Sequence, residues 1–217
     1  MPRIQISRRL RTGGSVQGDY KANRGTKRSA IVHASDHRIH LINQLAKSGI
    51  RSVVQHGLEA DDYIAYIAHL VAPRQTVIVS QYGDFLQLVS PSVSILREQG
   101  WIDHSNFCSK IGLTPEQHLA WKVLSGDPSD NIPPIRSKDE SWLWAVSGAS
   151  LSELSDDELA LFQRNRSIIR LALWENNNAV HPGVWENAKR QFRDTLTPAT
   201  YGMIAELVAY IGQKKGQ

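Results

Sequence analysis

Apolar positions along the chain change their period near residue 113. Before it, short apolar runs alternate with amphipathic stretches; after it, the spacing is helical. Residues 1–30 have no apolar period and are rich in Gly, Arg and Lys, which predicts a short element leading into a basic loop. Ser35 is placed to cap a helix running to about Ser48, with Ile39, Ile42 and Leu45 on one face. Residues 50–54 read as a strand. Residues 59–71 read as a helix with Tyr63, Ile67 and Leu70 as its buried stripe. The run Thr-Val-Ile-Val-Ser at 76–80 reads as a strand covered on both faces. A short helix over 84–89 and a strand over 93–96 follow. Thr114-Pro115-Glu116 is a helix start, with a Thr cap and Pro in the first turn. Further helices are predicted at about 116–125, 137–147, 156–175, 183–195 and 198–212.

Strands alternating with helices predict an α/β fold with a mainly parallel sheet and flanking helices, followed by a helical carboxyl-terminal region. The change of period predicts a boundary at 113/114. At 217 residues the chain suffices for one sizeable domain, or one domain with a smaller appendage.

Charge and chemistry sharpen this picture. The hydrophobic fraction of 41% and charged fraction of 21% are those of a folded protein. The net charge of +4 is modest, but Arg3, Arg8, Arg9, Arg11, Lys21, Arg24, Lys27 and Arg28 crowd the start, which favours a polyanionic partner. A single cysteine, Cys108, excludes a disulfide framework and a cysteine-rich zinc site, and reads as a small buried apolar residue. No apolar run reaches membrane-spanning length, so no membrane role is expected. Six carboxylates fall in three runs: Glu59, Asp61 and Asp62; Asp84; and Asp127 with Asp130. In open parallel sheets ligands bind beyond the carboxyl ends of strands. The first two runs each follow a predicted strand, at the same sheet edge. Two carboxylates about 4 Å apart repel by roughly 4 kcal/mol at an effective dielectric near 20, so a cluster of them calls for cations. Oxygen-only ligands select Mg²⁺ or Mn²⁺.

Each run also has a plainer structural reading. Acids in a first helical turn complement the macrodipole. Asp84 suits a helix cap, and Asp127 and Asp130 suit a turn. Lys21, Arg24, Lys27 and Arg28 read equally as a solvated loop. His33, His37 and His40 have near-helical spacing, but no carboxylate or cysteine completes a metal set with them. Trp142 and Trp144 read as packing, with base stacking as the alternative.

Four stretches in order resemble the 5′→3′ exonuclease and flap endonuclease superfamily, particularly its phage branch. Asp19-Tyr20-Lys21-Ala22-Asn23-Arg24 is similar to the Tyr-Lys-x-x-Arg element at the base of the family's helical arch. Residues 57–62 resemble its Glu-Ala-Asp-Asp motif. Residues 77–84 resemble the strand ending in Asp-Gly-Asp, and residues 126–132 resemble Gly-Asp-x-x-Asp-Asn-Ile. The resemblance implies a PIN-like nuclease domain hydrolysing phosphodiester bonds near a free 5′ end, in DNA or RNA–DNA, during replication. It implies that Glu59, Asp61 and Asp62 hold or flank a first Mg²⁺ or Mn²⁺, that Asp84 contributes or bridges, and that Asp127 and Asp130 hold a second ion. One ion would activate water and the other stabilise the leaving oxygen. Lys21 and Arg24 would contact the scissile phosphate, and Lys27, Arg28, Arg136 and Lys138 would contact nucleic acid. Replication proteins are the implied partners and the cytoplasm, of a host cell if phage-encoded, the implied compartment.

Three departures qualify it. Met1 begins too late for the family's opening strand and its Asp, so the expectation is a fragment, a split gene product or a misassigned start, with the chain alone weakly active or inactive unless another chain supplies that strand. Tyr82 takes the place of the first Asp of Asp-Gly-Asp. Pro133, Pro134, Ile135 and Arg136 replace the glycine-rich hairpin that gives a potassium-dependent grip on duplex. The alternative from a different class is a nucleic-acid-binding protein of the same fold without turnover. An RNA-cleaving toxin domain fits less well, given the helical tail and the Gly-Asp-x-x-Asp-Asn run.

Overall fold

The computed structural model describes residues 39–40, 42–47, 52–53, 58–172 and 182–195. They fall into two compact units, one holding 58–172 and the other the remaining described segments. Lys21, Arg24, Lys27, Arg28, His33, His37 and the predicted helix at 198–212 lie outside the described residues, as does most of the predicted strand at 50–54.

In the first unit, helix α1 (Ala60–Val71) opens with Asp61 and Asp62 in its first turn, where they oppose the positive end of the macrodipole. Its buried stripe is Asp62, Ala65, Tyr66 and Ala68. This corrects the expected stripe: Tyr63 and Ile67 are half-buried and Leu70 is 38% exposed. The buried face is thus offset by about one residue from the apolar period, and Ala65 and Ala68 join the core cluster. Strand β1 (Thr76–Val79) pairs in parallel with β2 (Val93–Arg97), and β2 pairs antiparallel with β3 (Gly100–Ile102). The α/β class is as expected, although β3 makes the described sheet mixed. Strand 76–80 is not covered on both faces, because Val79 is 65% exposed. A 3₁₀ turn (Gly83–Leu88) follows β1 and buries Phe85 and Leu86.

Beyond the sheet, α2 (Phe107–Ile111) precedes α3 (Pro115–Ser125), which starts with a capping box between Thr114 and Gln117. A 3₁₀ turn (Pro128–Asp130) leads towards α4 (Lys138–Ser147), capped by Ser137 and Glu140. Helix α5 (Asp156–Ile169), capped by Ser155 and Glu158, ends six residues before the predicted limit. Cys108 is exposed, not buried; it follows Phe107, which takes the inward position.

Two apolar clusters carry the unit. The first joins Ala65 and Ala68 of α1 to Ile78, Ile95, Ile102, Phe85 and Phe107. The second joins Val123 and Leu124 of α3 to Ile132, Phe162, Ile168 and Ile169. Trp142 and Trp144 pack as expected: Trp142 is edge-on to Trp121 at 6.0 Å, and Trp144 lies 6.4 Å from Phe162.

In the second unit, residues 39–40 and 42–47 are helical, and α6 (Pro182–Thr195) buries Trp185 and Ala188. Its polar side pairs Lys189 with Glu186 at 2.6 Å and Arg190 with Asn187 at 2.6 Å. No helix among the described residues is long and apolar enough to cross a membrane.

Candidate metal centre

Glu59, Asp61 and Asp62 come together at the start of α1. One carboxylate oxygen from each lies within 4.8 Å of the others. Glu59 is the helix N-cap in extended conformation, yet its side chain does not cap the helix. Asp62 is 1% exposed, and its backbone N–H donates to Asp61 Oδ1 at 3.0 Å. Three oxygen donors at this spacing, one of them buried, fit a hard divalent cation. Among the described residues no other acid joins this triplet at that separation.

Asp84 arrives from the 3₁₀ turn beyond the carboxyl end of β1, the edge expected from a parallel pair. That turn packs against both α1 and α3. Gln87 fixes it: Nε2 donates to the carbonyls of Asp84 (2.9 Å) and Ile169 (3.1 Å), while Oε1 accepts from Leu171 N–H at 2.9 Å. Tyr82, two residues earlier, is 74% exposed.

Asp127 lies just after α3. Gly126, at φ +69°, makes the sharp exit: a Cβ there would sit 2.6 Å from the Ile132 carbonyl oxygen and 2.7 Å from Pro134 N. Asp127 and Ile132 close the turn with two backbone hydrogen bonds, of 3.0 and 2.9 Å. Asp127 Oδ1 accepts from the N–H (2.9 Å) and hydroxyl (2.6 Å) of Ser129. Asn131 takes the left-handed conformation at φ +60°, which its short polar side chain tolerates. Asp130 is half-buried in the same turn.

Lys122, which the sequence reading passed over, ties these acids together. Its ammonium donates to Asp84 Oδ1 and lies 3.4 Å from Asp127 Oδ2. Burial alone would depress the Lys122 pKa, but the charge and hydrogen bond of Asp84, then those of Asp127, outweigh it and leave the pKa raised. Burial likewise favours the neutral form of Asp127, and the Ser129 hydroxyl and Lys122 reverse that, leaving its carboxyl below the usual range. The available signal was a lone cation inside the apolar run Trp121-Lys122-Val123-Leu124.

One turn before Lys122, His118 is 5% exposed, edge-on to Phe107 and 5.5 Å from Trp121. Burial, then the Lys122 charge, lower its pKa to about 4. Arg97, at the carboxyl end of β2, donates to the Gln81 carbonyl. Arg136 forks onto Glu158 (Nε to Oε1 2.8 Å, Nη2 to Oε2 3.3 Å), and Lys138 is exposed at the start of α4. The structure thus places Glu59, Asp61 and Asp62 in one cluster and Asp84 and Asp127 about one ammonium.

The profile of the 5′-3′ exonuclease, N-terminal resolvase-like domain matches residues 14–112. The matched residues include Glu59, Asp61, Asp62 and Asp84, whereas Asp127 and Asp130 lie beyond them. DNA polymerase I of Mycobacterium bovis is 33% identical over 149 residues, covering 64% of this chain and 16% of that protein. A 5′-3′ exonuclease of Buchnera aphidicola is 29% identical over 121 residues, covering 54% of this chain and 41% of the relative. The chain thus spans less than half the length of these relatives. The fold is similar to that of a bacteriophage T5 flap endonuclease solved with DNA and metal ions, with a TM-score of 0.67, 17% identity, and coverage of 86% of this chain and 79% of that one.

Proposed function

We propose that this protein is a metal-dependent 5′→3′ exonuclease or flap endonuclease, hydrolysing phosphodiester bonds in DNA or RNA–DNA during replication. The observation that carries the reading is the Glu59–Asp61–Asp62 triplet, with ligand oxygens within 4.8 Å, inside a matched exonuclease domain. The relatives include a 5′-3′ exonuclease, and a fold neighbour holds DNA and metal ions.

In this reading the triplet holds one Mg²⁺ or Mn²⁺, and Asp84, Asp127 and Asp130 serve a second ion. Such ions supply Lewis-acid polarisation and a lowered pKa for bound water. The chain's own residues do the rest. The buried Asp62 fixes the inner wall of the site. Gln87 holds the turn bearing Asp84, and Ser129 orients Asp127. Lys21 and Arg24, with Lys27 and Arg28, contact phosphates near the free 5′ end. The region beyond residue 113, including Lys138 and Arg136 once released from Glu158, forms the duplex-binding part. Replication proteins are the proposed partners and the cytoplasm the proposed compartment.

The test is cleavage of 5′-labelled flap, nicked and RNA–DNA substrates with Mn²⁺ or Mg²⁺, and with chelator. Metal-dependent release of 5′ products, lost in Asp62→Asn and Lys21→Ala, is expected. The second reading, a binder without turnover, draws on Tyr82 and on the Lys122 contacts to Asp84 and Asp127. Unchanged or tighter DNA binding by Asp62→Asn, with no cleavage by either protein, selects the binder.

A further inference from the structure

We infer that Lys122 is a built-in counter-cation standing where a second divalent ion would bind, so that such an ion reaches Asp84 and Asp127 only by displacing its ammonium. The inference rests on the nuclease reading of the acidic site and concerns the order and strength of ion binding within it.

Three observations converge. First, the ammonium already contacts carboxylates from two separate elements: Asp84 from the turn after β1 and Asp127 from the turn after α3. The Lys122 side chain is 16% exposed, so it is not a solvated surface lysine making a passing contact. Second, Asp127 has divided its two oxygens. Oδ1 serves the Ser129 N–H and hydroxyl and so holds the turn together. Oδ2 is the oxygen that faces Lys122. An incoming ion and the ammonium therefore compete for the same atom, and an ion cannot take Oδ1 without loosening the turn. Third, Tyr82 stands two residues before Asp84, exposed, at a position where the resemblance expects another carboxylate. Two carboxylates facing one ammonium keep a single net negative charge, which attracts a divalent ion far less than the bare pair does.

The prediction is two unequal ion sites: a tight one at Glu59, Asp61 and Asp62, and a weak one gated by Lys122. It is tested by titrating Mn²⁺ into the full chain at fixed pH, with free Mn²⁺ followed by electron paramagnetic resonance and bound ions counted by calorimetry. In the wild-type chain the second ion is expected to bind at least about tenfold more weakly than the first. The neutral variants Lys122→Met and Lys122→Gln should tighten the second ion about tenfold or more, leaving the first within about twofold. Lys122→Arg, which keeps the charge, should leave the second site weak. Lys122→Gln retains a hydrogen-bond donor to Asp84, so it reports even where Lys122→Met does not fold. An unchanged second site in the neutral variants overturns the inference, and so does equal tightening by Lys122→Arg. No Mn²⁺ binding by any of these proteins overturns it together with the nuclease reading. One tight ion with an unaltered second site overturns it alone.

Discussion

Replacing Asn165 tests how the turn bearing Asp127 is held. Asn165 sits on α5 with no exposed surface, and its Nδ2 donates to the carbonyls of Val123 (3.1 Å) and Pro133 (3.0 Å). The Val123 carbonyl is one of the last four of α3, which have no partner within the helix. Its neighbour Leu124 is satisfied by the N–H groups of Ile135 (2.8 Å) and Arg136 (3.1 Å). Asn165 thus completes the end of α3 and clamps the Pro133 segment to it. Asn165→Leu keeps the branched heavy-atom skeleton, so no cavity opens; the hydrogen bonds are lost and the bulkier methyl groups add packing strain. Two stranded buried carbonyls cost roughly 1–3 kcal/mol each. Among the described residues Asn165 Oδ1 has no partner, so its removal returns about 1 kcal/mol. The net loss is roughly 1–5 kcal/mol, centred near 3. Asn165→Asp should cost more, because a carboxylate would face two carbonyl oxygens without a donor. Urea unfolding followed by tryptophan fluorescence measures both. A loss below about 0.5 kcal/mol for Asn165→Leu, or a milder effect from Asn165→Asp, would refute the reasoning.

Three other outcomes follow from the structure. His118, held at a pKa of about 4 against its ordinary 6.5, binds fewer protons folded than unfolded between those values. Its contribution is therefore fully present above pH 6.5 and is lost as pH falls towards 4, on the order of 3 kcal/mol; His118→Phe should flatten this part of the pH–stability curve, and an unchanged slope would count against a buried neutral imidazole. Gly126→Ala meets backbone atoms at 2.6–2.8 Å and should lower stability by about 3 kcal/mol or more in a thermal melt, with a neutral result excluding the observed turn. The Glu158 carboxyl, held at about 2 chiefly by the Arg136 hydrogen bond, keeps its ion pair above its ordinary 4.5 and loses it as pH falls through about 2; carbon NMR should show that midpoint move up towards 4.5 in Arg136→Met, and no movement would show that the fork is absent in solution.

The helix starts were legible because they are chemically local. Thr114, Ser137 and Ser155 are each followed three residues later by Gln or Glu, and all three form capping boxes. The acidic runs were legible as motifs, and the Glu59–Asp61–Asp62 cluster follows from their spacing on one helical turn. Lys122 was not, since its partner Asp84 lies 38 residues away and only the packing of α3 on the 3₁₀ turn brings them together. Gln87 and Asn165 were hidden for the same reason: each acts on backbone groups more than 30 residues distant. The stripe of α1 was misassigned because apolar period weights large side chains over alanine and acid, whereas the buried face is Asp62, Ala65, Tyr66 and Ala68. Cys108 was misplaced because residue type says little about which side of a five-residue helix faces inward.

The central claim is that the start of α1 is a divalent-metal site. Calorimetric titration of Mn²⁺ into wild-type and Asp62→Asn chains, matched for folding by circular dichroism, addresses it directly. Saturable binding in the wild type that Asp62→Asn weakens by about tenfold or more is the expected result. Equal binding by the two chains, or none by a folded wild type, would contradict it.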